Sequence, residues 1–234
     1  HILVAGGTGL YCYGGLYAAG IGGSADRNTN WYNIDMYGHG VGLYFGTTEP
    51  NTKWNGEIRA KGGKNGAGIG GGGWGNGNNI TISGGKVTAT GGMFAAGIGG
   101  GMHRDGNDIT TSGGEVSAAG GRCGAGIGGG LDARSSGDIT VSGDAKLKVQ
   151  GGVEDNIDGA GAGIGDGGSN ADGSRIPGAE VEPDICALNP GGKIEYYAPG
   201  SGMTGTPNKT VTNPTGDFVW DSGLSLIHIS EPTR

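Results

Sequence analysis

The chain has 234 residues, of which 60 are Gly and 8 are Pro, about 29 % between them, with 34 % apolar and only 6 % aromatic residues. So little apolar material excludes a broad globular core, and a Gly and Pro share this high means disorder unless the glycines keep a period. The formal net charge of −7 argues against binding nucleic acid through its phosphates, which needs clustered Lys and Arg, and no apolar run is long enough to span a membrane.

The chain opens on His1-Ile2-Leu3-Val4, without Met and already inside a repeat-like phrase. The natural N-terminus is therefore expected upstream, and the lack of a signal peptide says nothing of location. Residues 1–54 read as irregular N-terminal coils with insertions. They hold Tyr11, Tyr13, Tyr17, Tyr32, Tyr37 and Tyr44, six of the eight tyrosines, together with Trp31 and Trp54. These aromatics either cover the end of a core or stack on sugar rings.

From residue 55 a period emerges. The phrase Ala-Gly-Ile-Gly places Ile at 21, 69, 98, 127 and 164, at intervals of 48, 29, 29 and 37 residues. Two further phrases keep the same step. One is Asn79-Ile80-Thr81-Ile82-Ser83-Gly84-Gly85, echoed from Asp108 and from Asp138. The other is Lys86-Val87-Thr88-Ala89-Thr90-Gly91-Gly92, echoed from Glu57, Glu115 and Lys146, and at the chain start by Ile2-Leu3-Val4-Ala5-Gly6-Gly7. Each alternates apolar and polar residues, the period of a strand, and most end in Gly-Gly, where the backbone can turn sharply.

Three short strands and three glycine corners per coil predict an all-β fold: a right-handed parallel β-helix, or three-sided β-solenoid, with about 29 residues per coil over residues 55–165. The expected inward stacks are Ile80 with Ile109 and Ile139; Ile82 with Thr111 and Val141; Ile58 with Val87, Val116 and Leu147; and the Ile of each Ala-Gly-Ile-Gly. Outside, Glu57, Lys86, Glu115 and Lys146 alternate in sign along one column, which specifies register more than it adds stability, since an exposed pair contributes about 0–1 kcal/mol.

Residues 166–223 lose the glycine corners and gain Pro, reading as a cap, an irregular β segment or the start of another domain. Residues 224–234, Leu224-Ser225-Leu226-Ile227-His228-Ile229-Ser230-Glu231-Pro232-Thr233-Arg234, resemble the in-frame translation of a transposon-end sequencing adapter. That resemblance implies a non-native tail, an open reading frame from bulk DNA sequencing, and no functional meaning for His228 or Glu231.

The phrases Ala96-Gly97-Ile98-Gly99-Gly100-Gly101, Gly106-Asn107-Asp108-Ile109-Thr110 and Ser83-Gly84-Gly85-Lys86-Val87-Thr88-Ala89 resemble glycine-rich repeats of large secreted or cell-surface proteins of anaerobic bacteria, some of them described as carbohydrate-binding. The resemblance covers residues 55–165 and, more loosely, 1–54. It implies an extracellular, repetitive, adhesive or sugar-binding role and points to no ligand-contacting residue.

Chemistry-bearing residues are few. The glycine run at 70–73 lacks the Gly-Lys-Ser/Thr ending of a phosphate loop and no helix-period segment follows it, so it reads as a corner. Cys12, Cys123 and Cys186 have neither disulfide nor zinc spacing and read as core side chains. Asp105 and Asp108, Asp132 and Asp138, and Asp155 and Asp158 are calcium-type ligands. The nine-residue period of calcium β-rolls is missing, however, and they read first as turn formers, with Ca2+ as the alternative. No cofactor is expected.

Glu57 and Glu115 have Lys86 between them, and no Ser/His/Asp set is apparent, so no enzyme is expected. The most suggestive surface is a pair of hydroxyl rows, Thr81, Thr110 and Thr140 beside Ser83, Ser112 and Ser142, on one flat face. Such rows also simply suit the exposed side of a strand. The sequence thus reads as a non-enzymatic extracellular repeat module that binds polysaccharide or a cell-surface glycan. The alternatives are a purely structural stalk and a fragment of a β-helix polysaccharide-active enzyme.

Overall fold

The structure, a computed structural model, describes residues 2–4, 9–23, 40–45, 56–134, 136–171 and 173–212, with the backbone alone for 2–4, 40–45, 171, 186 and 187. All regular structure among them is β-strand. The strands stack as a parallel β-helix with three sides. Val87 lies beside Val116 and Ile98 beside Ile127, so neighbouring rungs are 29 residues apart in the centre of the chain.

The first and second sides belong to one 11-stranded sheet, and the third is a narrow sheet of five two-residue strands, from Ile21–Gly22 to Ile164–Gly165. In the central coils the first two phrases run on as single strands, Gly77–Thr90 and Gly106–Ala119, each carrying the Gly-Gly pair within it. The expected corner is therefore a bend inside a continuous strand, with Gly85 and Gly114 at φ of +73° and +84°.

Alternation decides which residues face inward. Ile80, Ile82, Val87 and Ala89 are fully buried, as are their counterparts a coil away, and they join the third-side isoleucines in one narrow core. Thr111 is buried among them, between Ile82 and Val141 in the register. Asn79, Asp108 and Asp138 open the first side at φ of 53°, 53° and 51°. Asn and Asp are among the few residues that tolerate this left-handed conformation. Asn78 accepts a hydrogen bond from the Asn107 amide (3.1 Å), and Asn107 accepts one from the Gly137 amide (2.8 Å), so amide side chains tie coil to coil beside this corner.

Glycine is required most strictly after the second side. A Cβ on Gly63, Gly92, Gly121 or Gly152 would lie 1.4–1.6 Å from a carbonyl oxygen of the neighbouring coil. No neighbour can yield, because the obstruction is backbone.

The flanks differ from expectation. Ile2–Val4 pairs with Gly40–Phe45, which pairs with the first-side strand, so the chain start lies on the first side. Leu10–Tyr13 takes the second-side place below Glu57–Lys61. The distinguishing feature is distance to the third side: Gly15 precedes Ile21 by the same six residues that separate Gly63 from Ile69. Within the described part of residues 166–223, Asp184–Leu188 and Lys193–Tyr197 add a further parallel rung to the first and second sides. Lys209–Thr212 then closes the second side as an antiparallel strand. Trp31, Tyr32, Tyr37, Trp54 and residues 224–234 lie outside the described residues.

The third side ends differently. In each earlier coil the amides corresponding to Gly126 and Ile127 donate to backbone carbonyls of the next coil, here Ala162 and Gly163. At the last rung the amides of Gly163 and Ile164 donate to the two oxygens of the Glu180 carboxylate, at 2.6 and 3.1 Å. One side chain thus replaces two main-chain acceptors and satisfies an edge that would otherwise template further pairing.

Two outcomes are expected in denaturation experiments. Gly121→Ala destabilises by about 3 kcal/mol or more through overpacking against backbone, whereas Gly137→Ala, which meets nothing within 4 Å, changes stability by less than about 0.5 kcal/mol. Glu180→Ala leaves two amides unpaired at about 1–3 kcal/mol each, and amide exchange at Gly163 and Ile164 accelerates ahead of exchange at Ile98 and Ile127.

Candidate functional site

On the first side the isoleucines point in, so the intervening residues point out. Thr81, Thr110 and Thr140 are in direct register on successive rungs and half-buried, with Asp184 continuing the row. The serines do not form a second straight row. Register shifts after Ile82, so Ser83 pairs with Gly113, and Ser142 pairs with Cys186. The cause is the glycine bend that follows each serine, which takes the strand out of its ladder.

Ser83 and Ser112 instead line a groove of about 500 Å3 along the bend, with Glu115, Asp144 and Lys146. Its floor is glycine, namely Gly84, Gly85, Gly113 and Gly114, so the missing side chains are what make the surface concave. A second groove of about 470 Å3 shares Glu115 and Lys146 and continues across the second side past Ser117, Lys148, Lys193 and Glu195.

The second side carries the charged columns. Glu57, Lys86, Glu115 and Lys146 are stacked in register, and Lys193 follows Lys146. Lys86 is 4.0 Å from Glu57 and Lys146 3.8 Å from Glu115. Glu57 is held more closely by Arg59 two residues along its own strand, at 2.9 Å, and that hydrogen bond leads the lowering of its pKa below the usual carboxylate range. Lys193 and Glu195 pair in the same way at 2.6 Å, lowering the Glu195 pKa and raising that of Lys193.

The aspartates carry structural work. Asp108, Asp132 and Asp138 are at positive φ. Asp105 accepts from the Arg134 amide (3.2 Å) and Asp166 from the Ser136 amide (2.9 Å), each one coil away. His103 Nδ1 lies 3.1 Å from Asp132 Oδ2. Asp155 accepts from the amides of Ile157 and Asp158, both at 2.7 Å, and these bonds lower its pKa.

Sequence reasoning missed that the Asp155–Asp158 turn folds over Cys123. The thiol sulfur and one oxygen of each carboxylate lie within 4.8 Å of one another. Cys123 is fully buried and contacts the carbonyls of Val153 and Asp158 at 3.7 and 3.8 Å. Burial first, then the charges of Asp155 and Asp158, push its pKa from 9.0 to about 12. Burial and the Asp155 charge likewise raise the pKa of Asp158. A thiol kept neutral is a poor nucleophile. The signal was the spacing: Asp155 follows Cys123 by roughly one coil, disguised by the insertion before Ile164. Sequence reasoning also stopped the charged column at Lys146, and Lys193 and the residues beside the column, Arg59 and Lys148, went unread.

A family model described as a beta helix repeat matches residues 80–102 and 109–131. Each matched stretch runs from the first-side Ile, across the second side, to just past the third-side Ile, so the two matches are successive coils in the register seen here. No curated protein and no solved structure matches the chain.

The Cys123 environment has a consequence for stability. In the unfolded chain the thiol ionises near its ordinary value, whereas the folded chain retains the proton to about pH 12. The stabilisation is therefore present below pH 9 and is lost as pH rises toward 12. In urea denaturation the stability difference between the wild type and Cys123→Ala is expected to be constant below pH 9 and to shrink as pH rises from 9 toward about 12, the window between the two ionisations.

Proposed function

We propose that this chain is a non-enzymatic, extracellular β-solenoid module that binds polysaccharide through contacts repeated along its outer faces. The observation that carries this reading is the row of Thr81, Thr110 and Thr140, outward on adjacent rungs of one sheet; two residues further along two of these strands, Ser83 and Ser112 line the glycine-floored groove. Rungs in such a sheet are about 4.8 Å apart, so each hydroxyl repeats along the rod as sugars repeat along a chain. Single contacts of this kind are weak, and linking them multiplies affinity by effective concentration.

The resemblance of the repeat phrases to those of secreted surface proteins supports an extracellular setting. The carboxylates of the second side favour binding over hydrolysis, because Glu57 and Glu115 are each engaged by a neighbouring cation, whereas a glycosidase pair would flank a bond with one acid kept protonated.

The test is glycan-array binding of the wild type against the triple variant Thr81→Val, Thr110→Val, Thr140→Val. Valine keeps the shape and strand preference and removes the hydroxyl. Binding to at least one polysaccharide that weakens tenfold or more in the triple variant, with unchanged melting, supports the reading. A folded wild type that binds no glycan would instead leave the chain as a structural stalk.

A further inference from the structure

The second side differs electrically from the rest of the chain. Among the described residues six cations project from it: Arg59, Lys61, Lys86, Lys146, Lys148 and Lys193. Three carboxylates accompany them, Glu57, Glu115 and Glu195. Six minus three gives this face a formal charge of +3 on a chain whose total is −7.

The pairing does not absorb that excess. Glu57 is shared between Arg59 and Lys86, Glu115 pairs with Lys146, and Glu195 with Lys193. Among the described residues no carboxylate lies within ion-pair distance of Lys61 or Lys148; Glu195 is opposite Lys148 in the register and feels its charge at longer range, and the Lys148 ammonium lies 5.9 Å from the centre of the Tyr197 ring. Lys146 and Lys193 are directly opposite each other in the register, a like-charge contact that is unfavourable by itself and is moderated by Glu115 beside the one and Glu195 beside the other.

The face also has the shape of a track. Tyr11 and Tyr13 are 56 % and 77 % exposed at one end, in register with Arg59 and Lys61. Thr88 and Ser117 form a low middle, and the lysine cluster lies beyond them. The glycine-floored groove adjoins it through Glu115 and Lys146.

We propose that the second side binds an acidic polysaccharide, a glycan whose sugars carry carboxylate or sulfate groups, laid along the rod from the tyrosines to the lysine cluster. This rests on the glycan-binding reading above and adds to its threonine face a second face with a ligand class of its own. The cations meet the acidic groups, the interspersed carboxylates and the groove serines meet sugar hydroxyls, and the tyrosines offer apolar faces to sugar rings. Single-stranded nucleic acid needs a continuous basic groove with aromatic side chains spaced along it for the bases; here Glu57, Glu115 and Glu195 interrupt the cations and the exposed tyrosines lie at one end, so a glycan fits better.

The experiment is titration of the full chain with polygalacturonate, a sulfated galactan, a neutral β-glucan and single-stranded DNA, at low and at physiological salt. The expected result is binding to one or both acidic glycans, at least tenfold tighter than to the neutral glucan and weaker at higher salt. The polymer preferred tells carboxylate from sulfate. The triple variant Lys86→Gln, Lys146→Gln, Lys148→Gln then weakens acidic-glycan binding at least tenfold. The salt dependence of the wild type is an independent readout if that variant folds poorly. Neutral glucan bound as well as acidic glycan overturns this inference and leaves the module reading standing. DNA bound as tightly as the acidic glycans overturns it in favour of a general polyanion surface. No affinity for any polysaccharide overturns both readings.

Discussion

The constraint on which the molecule depends is backbone-on-backbone contact between successive coils. At Gly63, Gly92, Gly121 and Gly152 the space that a Cβ would occupy is filled by a carbonyl oxygen of the coil beside it. Gly70, Gly99 and Gly128 meet the same condition on the third side at φ near +130°. Closeness at these corners brings whole coils into hydrogen-bonding register, and the register brings equivalent side chains together inside. The core is thin because little more than a few Ile, Val and Ala side chains per coil supply it. No coil could stand alone with so little apolar burial, and stacking is what makes the fold possible.

That dependence explains what was legible in the residues and what was not. Inward stacks such as Ile98 on Ile127 follow from a period that the backbone contact enforces, so spacing reveals them. Spacing misleads where a phrase is only locally plausible. Ile2-Leu3-Val4 and Leu10-Tyr11-Cys12-Tyr13 both suit a strand, and only the distance from Gly15 to Ile21 shows that the second belongs below Glu57–Lys61. The serines looked aligned because they are 29 or 30 residues apart, but the glycine bend after each one breaks the ladder. Asp184–Leu188 and Lys193–Tyr197 were hidden for another reason: the stretch before them, with the hairpin of Ser169–Ala171 and Ser174–Ile176, interrupts the period without ending the stack.

Among the described residues, the C-terminal end of the rod is covered by a different chemistry on two of its three sides. An antiparallel strand covers the second side, and the Glu180 carboxylate stands in for two carbonyls on the third. Tyr196 occupies the core position held by Ala in the central coils, and its ring comes against Gly163. The larger side chain fills volume where the third side runs out, and burial raises the pKa of its hydroxyl. An open end would expose both apolar surface and unpaired amides, and here one aromatic ring and one carboxylate meet the two needs together.

Because alternate residues alone satisfy the core, the outer positions are left to diverge, and the two broad sides have done so. The first side begins at a corner whose left-handed backbone favours Asn or Asp, so Asp108 and Asp138 are there for conformational reasons, and Asp184 extends the threonine row. An anion would be repelled from that edge. The second side begins instead at a glycine bend, which places no demand on charge, and there cations outnumber carboxylates. The two faces meet at the glycine-floored groove. Their separation depends on the same register as the core, because a slip of one residue would turn Lys146 and Lys148 inward and Leu147 and Val149 outward. A fold that tolerates no slip for the sake of its isoleucines therefore also holds its charges in rows, and rows are what an extended, regularly spaced ligand can use.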